Sequence, residues 1–177
     1  MEFLIRQETA EDYPSTEEVV KRAFVKEAFS DKKEHFLVNK IRKSDAFIPE
    51  LSLVALNQAK GMIGHILLSK IKIVNGNHAV ESLALAPVSV VPEYQKKGVG
   101  SRLIHAALKK AKELGFRSVI VLGHKDYYPR FGFKPARVWN ISAPFQVPDE
   151  LFMALELTEN SLENVQGVVH YSEAFLE

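Results

Sequence analysis

Cysteine is absent from the 177-residue sequence. Its absence excludes a thiol nucleophile, a zinc–thiolate site, an iron–sulfur cluster and any disulfide or thiol switch. Covalent chemistry must use another residue type, or none. Long apolar runs are missing too: no stretch approaches the ~18 residues of a membrane span, and Met1 to Arg6 has no signal-peptide profile. Fixed-period repeats, low-complexity tracts and linker-like runs are also lacking. These absences predict one domain over residues 1–177, cytoplasmic and without a membrane partner. What is present agrees: 46% apolar and 25% charged residues suit a globular chain rather than a disordered one. A chain of this size buries roughly 70% of its unfolded surface, so no covalent or metal staple is required.

The net charge of +1 hides an asymmetry. Between Gln95 and Arg117 seven basic residues (Lys96, Lys97, Arg102, Lys109, Lys110, Lys112, Arg117) face one acid, Glu113. After Arg137 no lysine or arginine occurs, while Asp149, Glu150, Glu156, Glu159, Glu163, Glu173 and Glu177 are all acidic. The first region suits a polyanion and the second a cation, unless both are simply solvated faces.

Phe3 to Arg6 reads as a first strand. Ser15 and Thr16 are candidate caps for a helix whose apolar face is Val19, Val20, Ala23 and Phe24. Phe36, Leu37 and Ile41 mark a second helix ending before Pro49. Leu51 to Leu56, Met62 to Val74 and Ala79 to Leu85 read as strands, with Asn75-Gly76 as a hairpin signal. Leu83 to Val90 continues as strand, with Pro87 expected to interrupt a central ladder. Leu103, Ile104, Ala107, Leu108 and Ala111 follow at helical spacing, Gly115 stops that helix, and Val119 to Leu122 is a short buried strand. Strand, glycine loop, helix and strand make a βαβ unit with a parallel pair. Trp139 to Ser142, Leu151 to Leu157 and Gly167 to Tyr171 are further strand candidates. The class is α/β or α+β with a mixed sheet.

The loop Gln95-Lys96-Lys97-Gly98-Val99-Gly100-Ser101 lies between a strand and a helix N-terminus. Glycines permit a tight turn, the first helical N–H groups lack internal partners, and the macrodipole adds partial positive charge. With Lys96, Lys97 and Arg102 this is a pyrophosphate cradle. It is not a Walker loop, since Ser101-Arg102 follows Gly100. Nor is it a dinucleotide fingerprint, since Leu103 stands where a third glycine is needed. Gln-x-x-Gly-x-Gly after a strand instead resembles the acyl-CoA pyrophosphate loop of the GNAT superfamily of N-acetyltransferases. Val88-Ser89-Val90-Val91-Pro92-Glu93-Tyr94 is similar to that family's preceding strand and loop. Tyr127-Tyr128-Pro129-Arg130-Phe131-Gly132-Phe133 resembles the family's Tyr-x-x-x-Gly-Phe element. The likeness is specific over Leu83 to Pro135 and diffuse elsewhere.

The resemblance implies a GNAT fold: a mixed central sheet with flanking helices and a splayed parallel strand pair. It implies acetyl-CoA as cosubstrate, with no metal, and a primary amine, on a small molecule or peptide, as acceptor. Main-chain groups at Val88, Ser89 and Val90 would pair with the pantetheine arm, the break near Pro87 helping to splay the strand. Those from Lys96 through Lys97, Gly98, Val99 and Gly100 to Ser101 would hold the pyrophosphate, with Gln95 opening the motif. Without cysteine, direct attack in a ternary complex is expected. Tyr128 matches the general-acid position by its spacing to Gly132, and Tyr127 is the next candidate. Proton donation from a tyrosine near pKa 10 to a thiolate near 8.5 is uphill by roughly 2 kcal/mol. Glu81, sharing a strand face with Leu83 and Leu85, is the candidate base, against the plain reading of an exposed strand-end carboxylate. His124 and Asp126 lie near the slot mouth without metal spacing, and His65, His78 and His105 read as surface or packing residues. The acidic C-terminal part is expected beside the acceptor end, where it would draw in a cationic amine. Two rivals stand beside the enzyme: a catalytically silent CoA-binding protein, and a nucleic-acid-binding module using the basic segment, for which no RNA-module aromatic signature appears. Nucleic acid is not an expected partner, and a homodimer stays open.

Overall fold

Nine strands among the described residues join one mixed sheet in the computed structural model, which describes residues 2–27 and 30–176. Met1 and Glu177, which entered the charge and leader readings, lie outside that range. The edge strand β1 (Phe3–Gln7) pairs antiparallel with β2 (Ser52–Asn57), and β2 with β3 (Met62–Asn75). The long hairpin of β3 with β4 (His78–Val90) turns through Gly76, at φ +61°, and Asn77. Strand β5 (Ser118–Leu122) runs parallel to β4, and β8 (Phe152–Glu156) closes that side with the two-residue β6 (Lys134–Pro135). Beyond the end of β2, β9 (Gly167–His170) pairs with β3 and carries the short β7 (Ile141–Ser142).

The strand continues through Pro87 to Val90, and the expected interruption of the ladder takes the form of a register shift. Ile66 pairs with Val88 but Leu68 with Leu85, so Ala86 and Pro87 form a bulge opposite Leu67. A bulge bends one strand away from its neighbours, and this one lies where β4 leaves β5. The two strands pair only at Leu83↔Val119 and Ala84↔Ile120.

Both faces of the sheet are covered. Helix α3 (Val99–Glu113) buries Leu103, Ile104 and Ala107 on Ile66, Leu68, Leu83, Leu85, Val119 and Val121. Each buried leucine, isoleucine or valine there contributes about 1.5–3 kcal/mol. Arg102, His105, Lys109 and Lys112 stay exposed on the outer side of α3, and Gly115 at φ +91° stops it. On the opposite face Leu67 packs with Val20 of α1 (Tyr13–Phe24) and with Val38 and Ile41 of α2 (Glu34–Arg42). Further along that face Ile71, Ile73, Ala84, Ile120 and Ala154 are covered by Ile141, Leu162 and Val169 from the C-terminal segment. Trp139 falls in a 3-10 turn (Ala136–Trp139), so the strand expected from Trp139 shortens to Ile141–Ser142.

Helix α1 begins at Tyr13, earlier than Ser15 and Thr16 would have it. Asp12 forms the preceding turn by accepting from the Thr9 N–H at 2.8 Å and pairing with Arg6 at 2.7 Å. That pair holds the Asp12 carboxyl down to about 2. Thr16 is left inside the helix, where its hydroxyl donates to the buried Glu8 carboxylate.

Glu8 is the hub of a buried polar chain. Arg42 Nη2 reaches its Oε2 at 2.6 Å and Ser52 Oγ its Oε1 at 2.7 Å, with His65 Nε2 3.0 Å from Ser52 Oγ. His65 is therefore a core residue within a polar network. Burial is the main force pushing its pKa down, to about 4; Glu8 opposes the shift and Arg42 adds to it. An imidazole held neutral in the fold binds its proton more tightly when unfolded, so stability is full above pH 6.5 and falls toward pH 4. The loss from this group is roughly 3 kcal/mol by pH 4. In His65→Gln, urea denaturation should show a pH slope flatter by about one proton across that window. An unchanged slope would place the acid sensitivity elsewhere.

Candidate active site

The site begins where β4 and β5 stop pairing. Past Ala84, residues 85–90 of β4 have no partner on the β5 side, because β5 turns to β8 alone at Val121 and Leu122. Gln95 Nε2 donates to the Val90 carbonyl at 2.9 Å, folding the following loop back over the strand end. Lys96 at φ +61° and Gly98 at φ +86° then reverse the chain into α3. A Cβ on Gly98 would meet nothing within 4 Å, so the glycine serves the left-handed backbone rather than space.

The first α3 hydrogen bond runs from Arg102 N–H to the Gly98 carbonyl at 3.1 Å. The N–H groups of Val99, Gly100 and Ser101 are thus left without a helical acceptor, and no side chain caps them. These three residues line a cavity of about 450 Å³ together with Val88, Val90, Gln95, Lys96 and Gly98. Eight of the ten residues expected to hold a cofactor therefore meet in one slot. Ser89 does not: it is buried on the opposite face, across from His65, with its hydroxyl unbonded. Lys97 is exposed outside the slot, its Nζ 5.5 Å from the Tyr94 ring centre.

Three further residues complete the lining: Tyr94, Tyr127 and Arg130. Tyr94 is positioned by Asn57 Nδ2, 3.3 Å from its hydroxyl. Arg130 lies 4.7 Å over the Tyr127 ring and adds a second cation to the mouth beside Lys96. It was within reach of sequence reasoning, since it belongs to the Tyr-x-x-x-Gly-Phe element, but nothing in its spacing distinguished it.

The two tyrosines take different places. A Cβ placed on Gly100 would lie 3.6 Å from the Tyr127 hydroxyl and 3.7 Å from Val90 Cγ2, so that phenol borders the loop end of the slot. Tyr128 lies behind it with 8% of its surface exposed, edge-on to Tyr127 at 5.1 Å and to Phe133 at 5.7 Å. Its ring lies against Gly123, just past the end of β5. Burial pushes the Tyr128 phenol up to about 12 and that of Tyr127 upward, while Arg130 draws the latter back. Both hold their protons at neutral pH.

Glu81 is exposed, paired across the hairpin with Lys72, and lines a separate groove of about 810 Å³ with Lys70 and His170. His124 and Asp126 are exposed at the turn before Tyr127, and no metal-holding cluster occurs among the described residues. Several C-terminal acids are engaged locally. Glu156 accepts from the Leu162 N–H at 2.9 Å, Glu150 lies 3.5 Å from Lys125, and Asp149 lies 4.0 Å from Arg137.

Comparison with known proteins bears on this geometry. The acetyltransferase (GNAT) family model matches residues 5–133. The uncharacterized N-acetyltransferase YjhQ of Escherichia coli (strain K12) is 39% identical over 124 residues, covering 70% of this chain and 68% of its own. The crystal structure of the GNAT family N-acetyltransferase YhbS from Escherichia coli in complex with CoA superposes with a TM-score of 0.88. It is 26% identical and the match covers 99% of this chain and 92% of that one. A GNAT family acetyltransferase from Brucella melitensis in complex with acetyl-CoA gives a TM-score of 0.80 at 32% identity, covering 98% of each chain.

The seat of Tyr128 can be tested without any ligand. A Cβ on Gly123 would come within 2.2 Å of Tyr128 Cε2, and Gly123 has no positive φ that would strain a side chain by itself. Gly123→Ala should therefore destabilise the protein by about 1–3 kcal/mol, as overpacking does, and change the near-ultraviolet circular dichroism. In a Tyr128→Ala background the same change should cost much less. Equal costs in both backgrounds would mean that the ring does not rest on Gly123.

Proposed function

This chain belongs to the acetyltransferase (GNAT) family, and we propose that it transfers an acetyl group from acetyl-CoA to a primary amine by direct attack in a ternary complex. One observation carries the reading: an unpaired β4 edge and a helix N-terminus with three N–H groups free of helical acceptors line the same slot. An extended amide-bearing chain ending in a pyrophosphate needs those two features in that order. The CoA- and acetyl-CoA-bound neighbours support the same ligand.

When bound, acetyl-CoA supplies the activated acetyl thioester. The chain's own residues do the rest. Val88 offers main-chain groups along the slot, whereas the Ser89 carbonyl is turned toward Gly64 of β3, so Ser89 contributes through strand position alone. At Val90 the carbonyl is already taken by Gln95, which leaves its remaining contribution to backbone shape and the apolar wall. Val99, Gly100 and Ser101 donate N–H groups to the pyrophosphate, with Gly98 setting the turn. Lys96 and Arg130 add charge at the mouth, and Lys97 contributes at longer range. Tyr128 holds a proton on its Oη for the departing thiolate, and Tyr127 guards the loop end. Glu81, outside the slot, would take the amine proton through water from its groove.

Acetyl-CoA should raise the melting temperature, because only the folded loop can hold it. Gly98→Asp, which adds a side chain and a negative charge at the cradle, should abolish that shift. Undiminished binding by this variant in calorimetry would remove the loop from the site. Tyr128→Phe should keep CoA affinity while turnover falls by at least ~10²-fold; if Tyr127→Phe carries that loss instead, the donor is its neighbour. Glu81→Gln should slow turnover near neutral pH, with the defect fading as alkaline pH deprotonates the amine. A pH-independent effect would leave Glu81 as surface.

A further inference from the structure

The gap between β4 and β5 has two sides, and the cofactor slot uses only the α3 side. Its mouth is the glycine loop, Tyr127 and Arg130. The opposite face is the side the cofactor slot leaves to an acceptor. On that face Ala84 and Ile120 form the last β4–β5 pair, and both are buried. Leu122, two residues further along β5 and so about 7 Å away, is 48% exposed. Its cross-strand partner is Phe152.

Phe152 is buried at the floor of a cavity of about 550 Å³, within the range of small-molecule sites. Phe145 stands over it edge-on, with ring centres 6.3 Å apart, and lies nearly parallel to Tyr171 at 6.1 Å. Despite these two ring partners Phe145 remains 46% exposed. Val147 and Ile141 continue the apolar wall. The two charged residues of the lining offset each other, Arg137 lying 4.0 Å from Asp149, which leaves little net field for a polycation. A half-exposed aromatic ring above an apolar floor, one strand from the reacting gap, favours a flat apolar group.

We infer that the acceptor is an amine carrying an aromatic ring, seated against Phe145 above Phe152 with its amino group directed past Leu122 into the β4–β5 gap. Phe145 and Leu122 are then specificity-determining residues. The inference rests on the acetyl-transfer reading for its orientation, but binding tests it separately from turnover. Calorimetry on the CoA-saturated protein should show that 2-phenylethylamine binds at least ~10-fold more tightly than spermidine. Phe145→Ala should erase that preference, and Phe145→Tyr should restore most of it, with CoA affinity equal in all three proteins. Leu122→Arg should weaken 2-phenylethylamine binding as well, by placing a like charge in the path of the ammonium group. Preference for spermidine, or an unchanged 2-phenylethylamine affinity in Phe145→Ala, would overturn the assignment. So would a change of oligomeric state in Phe145→Ala without a change in amine binding, since a second copy of the chain would then be the occupant. If 2-phenylethylamine binds through Phe145 yet no amine is acetylated, the pocket stands and the transfer reading falls. If another amine is acetylated with no dependence on Phe145, the reverse holds.

Discussion

The parting of β4 from β5 is the constraint on which the rest of the molecule turns. Parallel neighbours ordinarily share hydrogen bonds along their whole common length. Here they share them at two residue pairs and then separate. Three features act together at that point. The bulge at Ala86 and Pro87 re-aims β4, β5 is drawn to β8 over all five of its residues, and Gly123 lets the Tyr128 ring lie against the end of β5. Each is modest alone. Together they leave a polar backbone edge exposed to a slot rather than to a neighbouring strand, and a bare edge is a template for an extended ligand.

How much of this could be read beforehand depended on whether the physics was local. The glycine loop was legible because its conformation is a backbone matter: Gly98 sits at φ +86° and α3 begins at the next residue. The amphipathic face of α3, the Asn75-Gly76 hairpin and the apolar β5 were legible by the same local reasoning. At Pro87 the missing N–H signalled an interrupted ladder within a continuing strand, but the form of the interruption, a two-residue bulge opposite Leu67, was decided by its pairing with β3. Helix α1 was misread at its start because Asp12, not Ser15, shapes the turn, and its choice depends on Arg6 from the neighbouring strand. Trp139 met the opposite problem, a strand-like run captured by a turn.

The side-chain site was less legible than the backbone site, for a related reason. Adjacent tyrosines look alike in sequence, but in the fold one phenol borders Gly100 and the other is enclosed by Gly123 and Phe133. Ser89 was placed correctly on the strand, yet alternation turns its hydroxyl to the far face beside His65. His65 itself read as a packing residue. It is packed, but only because Glu8, Arg42 and Ser52, distant in sequence, meet its ring or one another. Long-range polar networks leave no periodic trace.

The same division explains why the two halves of the reaction differ in how firmly the chain specifies them. The cofactor half is built from backbone: a strand edge, a left-handed glycine and free N–H groups, all tolerant of side-chain change. Its side-chain supports brace the loop from outside, as with Arg22 on Glu93, Asn57 on Tyr94 and Gln95 on the Val90 carbonyl. Such bracing fixes the cradle before any ligand arrives, which lowers the ordering cost of binding. The acceptor half proposed here is built largely from side chains on the C-terminal segment, whose elements are short strands and 3-10 turns. Apart from Phe152, which β8 holds in the sheet, these residues sit on short elements with few ladder bonds and can change without disturbing the sheet. An acceptor wall of this kind can change while the cofactor slot stays as it is, because the slot depends on none of its side chains.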